Sequence, residues 1–488
     1  MRASSITIPQ FVQEIITHLH THHFQAFVIG GCVRDSLLGE KPKDWDITTD
    51  ATPKQIQAIF AKSYKLITLG ERYGTIGIIT NAAAGICVEI TTFRLESSYT
   101  NSRHPSDVSY TTDLFQDLKR RDFTCNALAY NPYLSTLHHL DSSAPNSPLQ
   151  DEVQKVDSSA YALYHRYMPY ICDGICDYVG GLADIATRTL RCVGDANARF
   201  SEDALRILRA LRFQAQLGFS IESSTQAALF ANAKKLSQIS AQRKQEEWSK
   251  ILCAKHITSA IIGFGAVWAE VFREFAKSLV ALDSSPSAQM LTTLATLESI
   301  NKNPSLCMSS TESIHTDSAL SLRLSLWFYA LDSSLEQATS SLQALGYKSR
   351  IVSLCQTLLS HANLPSHQSL ESTRILARDI GLDALALVGE FIALIYGKHY
   401  ATPLAKHLAT IRTQKLCYNL ATLALNGNDL AAIADSMGIV LQGREIGRLL
   451  RTLLDEVICS RVPNANNTLR ARAKELIQAS QTKEHLWG

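Results

Sequence analysis

Short apolar runs separated by polar turns occupy the first 135 residues of this 488-residue chain, a pattern typical of strands mixed with helices. The run at 24–30 ends in Gly-Gly, which predicts a buried strand followed by a tight turn. A helix is predicted from Thr52-Pro53 to Phe60, because proline suits the first helical position. Further strands are predicted at 45–49, 64–69, 75–80 and 86–93.

From Ser201 onward the pattern is helical almost to the end of the chain. Apolar residues such as Leu205 and Leu208 follow helical spacing, and the remainder is rich in Leu, Ala, Lys and Glu. Before this region, the Ser- and Pro-rich stretch at 142–148 predicts an inserted loop. A second Ser-rich stretch, at 305–321, predicts a linker between two helices.

Together these patterns predict an α+β N-terminal head, with a mixed or antiparallel sheet and helices, followed by an elongated all-α neck, body and tail. A chain of this length is too long for a single core, so several domains are expected. The expected segments are a head at 1–135, an insertion or linker at 136–175, a neck at 176–255, a body at 256–375 and a tail at 376–488.

Composition and charge narrow the class of protein. Hydrophobic residues make up 46% of the chain and charged residues 19%, as in soluble globular proteins. The net charge of +2 means that a nucleic-acid surface must be a local patch. The 11 cysteines are irregularly spaced, which predicts free thiols in a reducing compartment. Residues 1–10 contain no signal-peptide run and no segment predicts a membrane span, so we expect a cytoplasmic protein.

Candidate chemistry begins with Asp44 and Asp46, two residues apart on a predicted strand. Both carboxylates therefore point to one face of the sheet, where Mg²⁺ would relieve their repulsion. Upstream, Gly30-Gly31 forms a turn at a helix start, and its N–H groups together with Arg34 suit a triphosphate. Alone, each motif would be an ordinary turn or a surface carboxylate pair. Their close spacing favours a catalytic site.

Gly30-Gly31-x-Val33-Arg34-Asp35-x-Leu37-Leu38-Gly39, followed by Asp44-x-Asp46, resembles the signature of class II (bacterial-type) CCA-adding enzymes and their poly(A) polymerase relatives. These enzymes belong to the DNA-polymerase-beta-like nucleotidyltransferase superfamily. Further segments resemble the later motifs of the family in order, at 120–128, 177–184, 202–213 and 243–251.

The resemblance implies template-independent addition of C, C and A to a tRNA 3′ end from CTP and ATP, with release of pyrophosphate. It implies that the head is the nucleotidyltransferase domain, with two Mg²⁺ ions held by Asp44 and Asp46. It also implies that nucleotide is bound by Gly31, Arg34, Arg121, Asp203, Arg206, Arg209 and Arg212.

The fourth motif also has a physical rationale. Asp203, Arg206, Arg209 and Arg212 recur at steps of three on a predicted helix, so neighbours in the series lie side by side. Cytosine and adenine each present an amino donor beside an acceptor ring nitrogen, whereas guanine and uracil present the reverse. A carboxylate at Asp203 and a guanidinium at Arg206 would therefore accept C and A. The alternative is a solvated helix face with ordinary ion pairs.

Two residues near the proposed site have open roles. Glu89 alternates with apolar neighbours on a predicted strand, so it is either a third acid near the metals or a solvent-facing residue. Arg103 lies in a polar stretch at 99–110 that resembles the family's flexible loop for switching from C to A. The usual Asp-Gly-Arg of that loop reads Asn101-Ser102-Arg103 here.

Near the end of the chain, Gly443, Arg444 and Arg448 resemble the family's tail, which implies contact with RNA phosphate. The alternative is a helix hairpin packed on the body. The expected partners are the acceptor stem and elbow of tRNA, with no membrane and no protein partner. The stretch 322–332 lacks the His-Asp pair of an appended phosphohydrolase, so we expect no such activity.

Three other functions remain open. A poly(A) polymerase shares the head motifs, but Gly70-x-x-x-Gly74-Thr75-Ile76 matches the CCA-adding pattern better, and the basic C-terminal extension common in that polymerase is missing. A split-activity enzyme would add only CC or only A. A non-catalytic RNA-binding protein would have no need of Asp44, Asp46 and Asp203.

Overall fold

The computed structural model describes residues 6–81, 86–95, 99–100, 104–105, 108–134, 170–303, 316–366 and 368–484. The chain divides into two compact units, Met1–Ser285 and Pro286–Gly488. We call them the first and the second unit and describe each by itself.

An eight-stranded mixed sheet forms the base of the first unit. Its strands are β1 (Ala26–Ile29), β2 (Trp45–Thr49), β3 (Lys65–Ile67), β4 (Thr75–Asn81), β5 (Ile86–Thr92), β10 (Leu128–Tyr130), β11 (Ile171–Cys172) and β12 (Ile175–Asp177). Their order across the sheet is β11-β12-β10-β1-β2-β5-β4-β3. Only β2 and β5 pair in parallel within this sheet, so the prediction of a mixed sheet is confirmed.

Shorter elements surround this sheet. Two-stranded ladders pair β6 (Arg94–Leu95) with β9 (Ser109–Tyr110), and β7 (Tyr99–Thr100) with β8 (His104–Pro105). The helices of this part are α1 (Gln10–Thr21), α2 (Gly31–Leu37), α3 (Pro53–Phe60) and α4 (Leu114–Lys119). Helix α3 begins where the sequence predicts, because Thr52 and Gln55 form a capping box ahead of Pro53.

Helix α4 packs on the sheet through an apolar cluster. Leu114 and Leu118 pack with Phe27 and Ile29 of β1 and with Phe93, and all five are buried. This packing covers the sheet over β1 and over Thr48 of β2, which is fully buried, whereas Asp46 of β2 and Glu89 of β5 are exposed.

The sheet continues beyond the stretch 135–169, which lies outside the described residues. The strands β11 and β12 add to it through β10, although the sequence analysis assigned 136–175 to an inserted segment. A strand of two residues is too short to show periodicity, so only its backbone pairing reveals it. The domain limits themselves stay a prediction.

The rest of the first unit is helical apart from one two-stranded parallel ladder, β13 (Thr189–Leu190) with β14 (Ser220–Ile221). Its helices are α5 (Gly181–Ala186), α6 (Ala196–Glu202), α7 (Leu205–Leu217), α8 (Ser223–Asn232), α9 (Ala241–Leu252), α10 (Ile257–Ile261), α11 (Gly265–Val271) and α12 (Ala276–Ala281). Trp248 of α9 packs edge to face on the rings of Trp268 and Phe272, and all three rings are buried.

The second unit is helical throughout its described residues. Its helices are α13 (Ala288–Lys302), α14 (Asp317–Ala330), α15 (Leu335–Ala344), α16 (Ser349–Ser360), α17 (Leu370–Ile380), α18 (Leu382–Tyr396), α19 (Lys398–Thr413), α20 (Gly427–Ser436), α21 (Gly443–Ile458) and α22 (Asn466–Glu484). The linker expected at 305–321 is wrong over its last residues, because Thr316 caps α14 from Asp317 onward. The rest of that stretch, up to 315, lies outside the described residues.

Two general features follow from the described residues. Their ten cysteines are free, with no disulfide between them. None of the helices in the described ranges is both long enough and apolar enough to cross a membrane.

A buried arginine joins two helices of the second unit. Arg374 of α17 is 7% exposed, and its guanidinium donates to the carbonyl oxygens of Cys417, Val457 and Ile458 at 2.7–3.2 Å. Val457 and Ile458 are the last residues of α21, whose carbonyls have no partner within the helix. The cation therefore satisfies these acceptors and interacts favourably with the negative end of α21.

Replacing this arginine should destabilise the protein. In Arg374→Leu the buried carbonyls of Cys417 and Ile458 lose their donor and that of Val457 keeps the Ser460 N–H, so we expect a loss of about 3 kcal/mol in the free energy of unfolding. Urea denaturation followed by circular dichroism measures it. Arg378→Leu is the matched control on the same helix, since Arg378 pairs with the half-exposed Asp379 and Asp455, and it should cost less than about 1 kcal/mol. Equal losses in the two variants would contradict this account of Arg374.

Candidate active site

Two carboxylates lie side by side on one face of the sheet. Asp46 of β2 and Glu89 of β5 are register partners in the parallel pair, so their side chains project from the same side. Both are exposed, whereas their neighbours Ile47 and Val88 are buried against the opposite side. We call the side that carries Asp46 and Glu89 the carboxylate face.

Asp44 directly precedes β2 and is also exposed. Burial by the surrounding protein, then the negative charges of Glu89 and Asp44, raise the pKa of Asp46 from 3.8 to about 6, against an opposing effect of Arg121. The Asp46 side chain is thus accessible to solvent, although its carboxylate is partly desolvated and lies near two like charges. A bound cation would remove that unfavourable repulsion.

The chemistry of these ligands fits Mg²⁺, which prefers oxygen and is usually bound through one or two carboxylates with substrate phosphates and water. Within the described ranges, no group of three or more Asp, Glu, His or Cys side chains lies close enough to hold an ion. Asp44 and Asp46 would therefore supply the protein ligands of a Mg²⁺ site, and substrate phosphates and water would supply the remaining ligands. Glu89 contributes negative charge beside this site.

Arg121 lies next to the carboxylate face. Its Nη2 is 3.4 Å from Asp117 Oδ2, and its charge acts on Asp46. Its Nε is buried and has no hydrogen-bond partner in the described part of the chain. Gly30, with φ +82°, lies directly against this side chain, since a Cβ there would be 3.3 Å from Arg121 Nη1. The glycine is therefore needed both for its backbone angle and for the space that Arg121 occupies.

Asp117 is a residue that the sequence analysis missed. Its fully buried carboxylate accepts hydrogen bonds from Arg120 at 2.6 and 2.9 Å, from Arg121, and from Thr48 Oγ1 at 3.3 Å. Burial raises the pKa of Asp117, but Arg120 and Arg121 outweigh it and hold the pKa below its usual value. Its spacing of three and four residues before two arginines on a helix was the available signal.

Arg34 and Arg209 are each fixed by hydrogen bonds. Arg34 donates to Asp35 at 2.6 and 2.9 Å and through Nη1 to Asn126 Oδ1. Arg209 Nε donates to Asp122 Oδ2 at 2.7 Å. Burial raises the pKa of Asp122, but the charge and hydrogen bonds of Arg209 outweigh it and hold the pKa below its usual value. Residues of the first, second and fourth motifs are thereby brought together.

Arg212 is held less completely. Its Nη1 is 3.2 Å from Glu247 Oε1, and both residues are buried. Arg212 Nε and Glu247 Oε2 have no hydrogen-bond partner among the described residues. Glu247 lies in the fifth motif, which the sequence analysis noted without assigning it a role.

Asp203 is not on the helix that the sequence predicts. It follows α6 in an extended conformation, and α7 begins at Leu205, whose N–H donates to Asp203 Oδ1 at 3.0 Å. The spacing of three along the helix holds only for the arginines, because α7 begins after Asp203. Asp203 Oδ2 also accepts from Arg243 Nη2 at 2.7 Å, a contact that sequence spacing could not show.

Arg206 lies on α7, and its guanidinium is 7–8% exposed. It donates to Glu202 Oε2 at 2.8 Å and to the carbonyl of Arg199 at 3.2 Å. Asp203 and Arg206 are thus each held by a charged partner and are adjacent at the junction of α6 and α7.

The remaining site predictions lie elsewhere. Arg103 is outside the described residues. In the second unit, Gly443 begins α21, and Arg444 and Arg448 are exposed on that helix, as is Arg451. One turn separates each from the next, so the three cations form a stripe along the helix.

Two protein-family models match segments of the chain. A model described as "Poly A polymerase head domain" matches residues 26–191. A second, described as "Probable RNA and SrmB- binding site of polymerase A", matches residues 218–263.

Individual proteins are also similar. A CCA-adding enzyme of Leuconostoc citreum is 37% identical over 259 residues, 52% of this chain and 53% of that protein. A CCA-adding enzyme of Lactiplantibacillus plantarum is 28% identical over 462 residues, 94% of each chain. The first match thus spans about half the length of the relative, and the second nearly all of it.

Among solved structures, the crystal structure of Bacillus stearothermophilus CCA-adding enzyme in complex with CTP is similar with a TM-score of 0.68 and 25% identity. The similarity covers 98% of this chain and 100% of that one. Sequence motifs, matched family models and fold agree. In these comparisons the chain is similar to CCA-adding enzymes and to the head and RNA-binding segments of poly(A) polymerases.

Proposed function

We propose that this chain is a CCA tRNA nucleotidyltransferase that adds C, C and A to the tRNA 3′ end from CTP and ATP and releases pyrophosphate. The observation that carries the proposal is the carboxylate face, where Asp46 and Glu89 lie beside Arg121 in a chain whose CCA-adding relative aligns over 94% of its length. The proposal includes a cytoplasmic location, as expected for a chain whose ten described cysteines are free.

In this proposal Asp44 and Asp46 hold Mg²⁺ together with the triphosphate. When bound, the metal ions lower the pKa of the primer 3′-hydroxyl and stabilise the leaving pyrophosphate. Arg121, next to Asp46, and Arg34, at the Gly30-Gly31 turn, would offer positive charge to the phosphates. These residues bind and orient the reactants, and no side chain is required as a general base.

Asp203 and Arg206 would select the base. The Asp203 carboxylate accepts from an amino group, and the Arg206 guanidinium donates to the adjacent ring nitrogen, a pairing that C and A satisfy. Arg243 and Glu202 fix the orientations of these two side chains. Desolvated polar groups at the site would be left unpaired by U or G, which disfavours their binding.

The stripe formed by Arg444, Arg448 and Arg451 would bind tRNA phosphate. Exposed arginines on one side of a helix attract a polyanion, and none of the three has an ion-pair partner in the described part of the chain. Arg103 would act in the loop that adjusts the pocket between C and A.

The decisive assay uses purified protein, tRNA that ends at its discriminator base, and CTP and ATP singly and together. Sequencing the 3′ ends should give CCA with both nucleotides and CC with CTP alone. Long A tracts would identify a poly(A) polymerase, ends that stop at CC would identify a split-activity enzyme, and unchanged tRNA would identify a non-catalytic binder.

Loss of either carboxylate should abolish nucleotide addition. In Asp44→Ala and Asp46→Ala we expect activity at least 1000-fold lower, on the order of the effect of losing a metal ligand, with normal circular dichroism. Glu40→Ala, which removes an exposed carboxylate upstream of β2, is the control and should keep full activity. Near-normal turnover by folded Asp46→Ala would show that the metal site is elsewhere.

Magnesium should also stabilise the protein through Asp46. The folded-state pKa of Asp46 is about 6, above the ordinary 3.8, so the metal-free protein loses stability as pH rises from about 4 to about 6. In EDTA, Asp46→Asn should melt above the wild type at pH 7.5, and the two should converge below about pH 4. Adding Mg²⁺ at pH 7.5 should raise the melting temperature of the wild type only. An equal Mg²⁺ response in both proteins would contradict this assignment.

Removing Arg206 should relax base selection. For Arg206→Ala we expect the ratio of UTP to CTP incorporation to rise at least tenfold, since one base-edge contact is worth about 1–3 kcal/mol of discrimination. Because both incorporation rates are measured on the same variant, a loss of folded protein lowers both rates equally and leaves their ratio unchanged. Arg191→Ala, which removes a half-exposed arginine paired with Asp184 and Glu222, should leave the ratio unchanged. An unchanged ratio in Arg206→Ala would refute the selection scheme.

A further inference from the structure

One aromatic ring lies at the centre of the arginines of the first unit. The guanidinium carbons of Arg34, Arg209 and Arg212 are 5.3, 5.5 and 4.4 Å from the centroid of the Phe213 ring. Phe213 is 7% exposed and belongs to α7, whereas Arg34 belongs to α2. The ring thus links cations from two elements that are far apart in sequence.

The ring is itself held in place. Phe123, which directly follows Asp122, packs edge to face on Phe213 at 5.6 Å with an interplanar angle of 77°. Phe123 is fully buried. The second motif therefore fixes the orientation of the ring that contacts Arg34 and the arginines of α7.

The electrostatics of this arrangement explain why an aromatic ring suits the position. The faces of a phenyl ring carry partial negative charge and attract a cation within about 6 Å. A carboxylate would also hold three arginines, but it would cancel one of their charges. The uncharged ring holds Arg34, Arg209 and Arg212 close together and adds no further negative charge to the carboxylates that already pair with them.

We propose that Phe213 is a positioning residue, which holds these three guanidinium groups at the spacing that a nucleoside triphosphate requires. This inference rests on the proposed function and adds to it a residue that contacts no reacting atom. Because base selection is assigned to Asp203 and Arg206, Phe213 acts on the affinity common to CTP and ATP.

The test is Phe213→Leu in the full-length protein, which keeps an apolar side chain and removes the ring. Titration calorimetry with CTP and with ATP, in Mg²⁺ and without RNA, measures affinity apart from turnover. We expect both dissociation constants to rise about tenfold, from the loss of cation–π contacts. The ratio of UTP to CTP incorporation should stay at the wild-type value.

Two further variants separate positioning from packing. Phe264→Leu removes a comparably buried ring, 4% exposed, that stacks on Phe230. It should lower the melting temperature about as much as Phe213→Leu and leave nucleotide affinity unchanged. Phe213→Tyr keeps the ring and should restore affinity to within about twofold of the wild type.

Each other outcome overturns the inference. Wild-type affinity in Phe213→Leu would show that the ring only fills space, and weak binding in Phe213→Tyr would show that shape rather than the ring matters. Weaker binding of CTP but not ATP would make Phe213 a specificity residue. If the wild type binds neither nucleotide, the proposed function itself fails. This outcome is distinct from a failure of the inference about Phe213, in which the wild type binds both nucleotides.

Discussion

Crowding of like charges on the carboxylate face is the constraint around which the first unit is arranged. Asp46 and Glu89 lie side by side in a parallel strand pair, and burial, followed by the charge of Glu89, raises the pKa of Asp46 to about 6. Arg121 relieves this repulsion only in part, and it is also bound to Asp117. The site is thereby left with unfavourable electrostatic energy that a cation removes on binding.

The arginines show the complementary arrangement. Arg34, Arg209 and Arg212 are held by Asn126, Asp122 and Glu247, each of which uses only some of their donors. The Phe213 ring attracts all three without adding negative charge. The ring therefore groups three cations that keep unused donors, near a sheet face whose carboxylates suit a metal ion.

The second unit meets a different requirement, since it contains many helix ends that must be satisfied in its interior. Arg374 shows the solution, in which a buried cation donates to the last carbonyls of α21 and needs no carboxylate. The arginines on the exposed side of the same helix are free of such a structural duty. One helix thus combines an anchored end with a surface that can contact RNA.

Local sequence signals determined much of this protein. Period-two alternation located β2 and β5, the capping box located α3, and the spacing of Asp44 and Asp46 placed their carboxylates together, because each signal acts over a few residues. Only tertiary structure decided that Glu89 lies opposite Asp46, that Asp203 precedes α7 and is held by Arg243, and that Asp117 orients Arg121. Some of these contacts join residues far apart in the chain, up to 43 positions for the strand pair that includes Asp46 and Glu89. Asp203 lies off the expected helix face because α7 begins after it. Strand pairing and helix packing create these contacts, and neither can be predicted from a local sequence pattern.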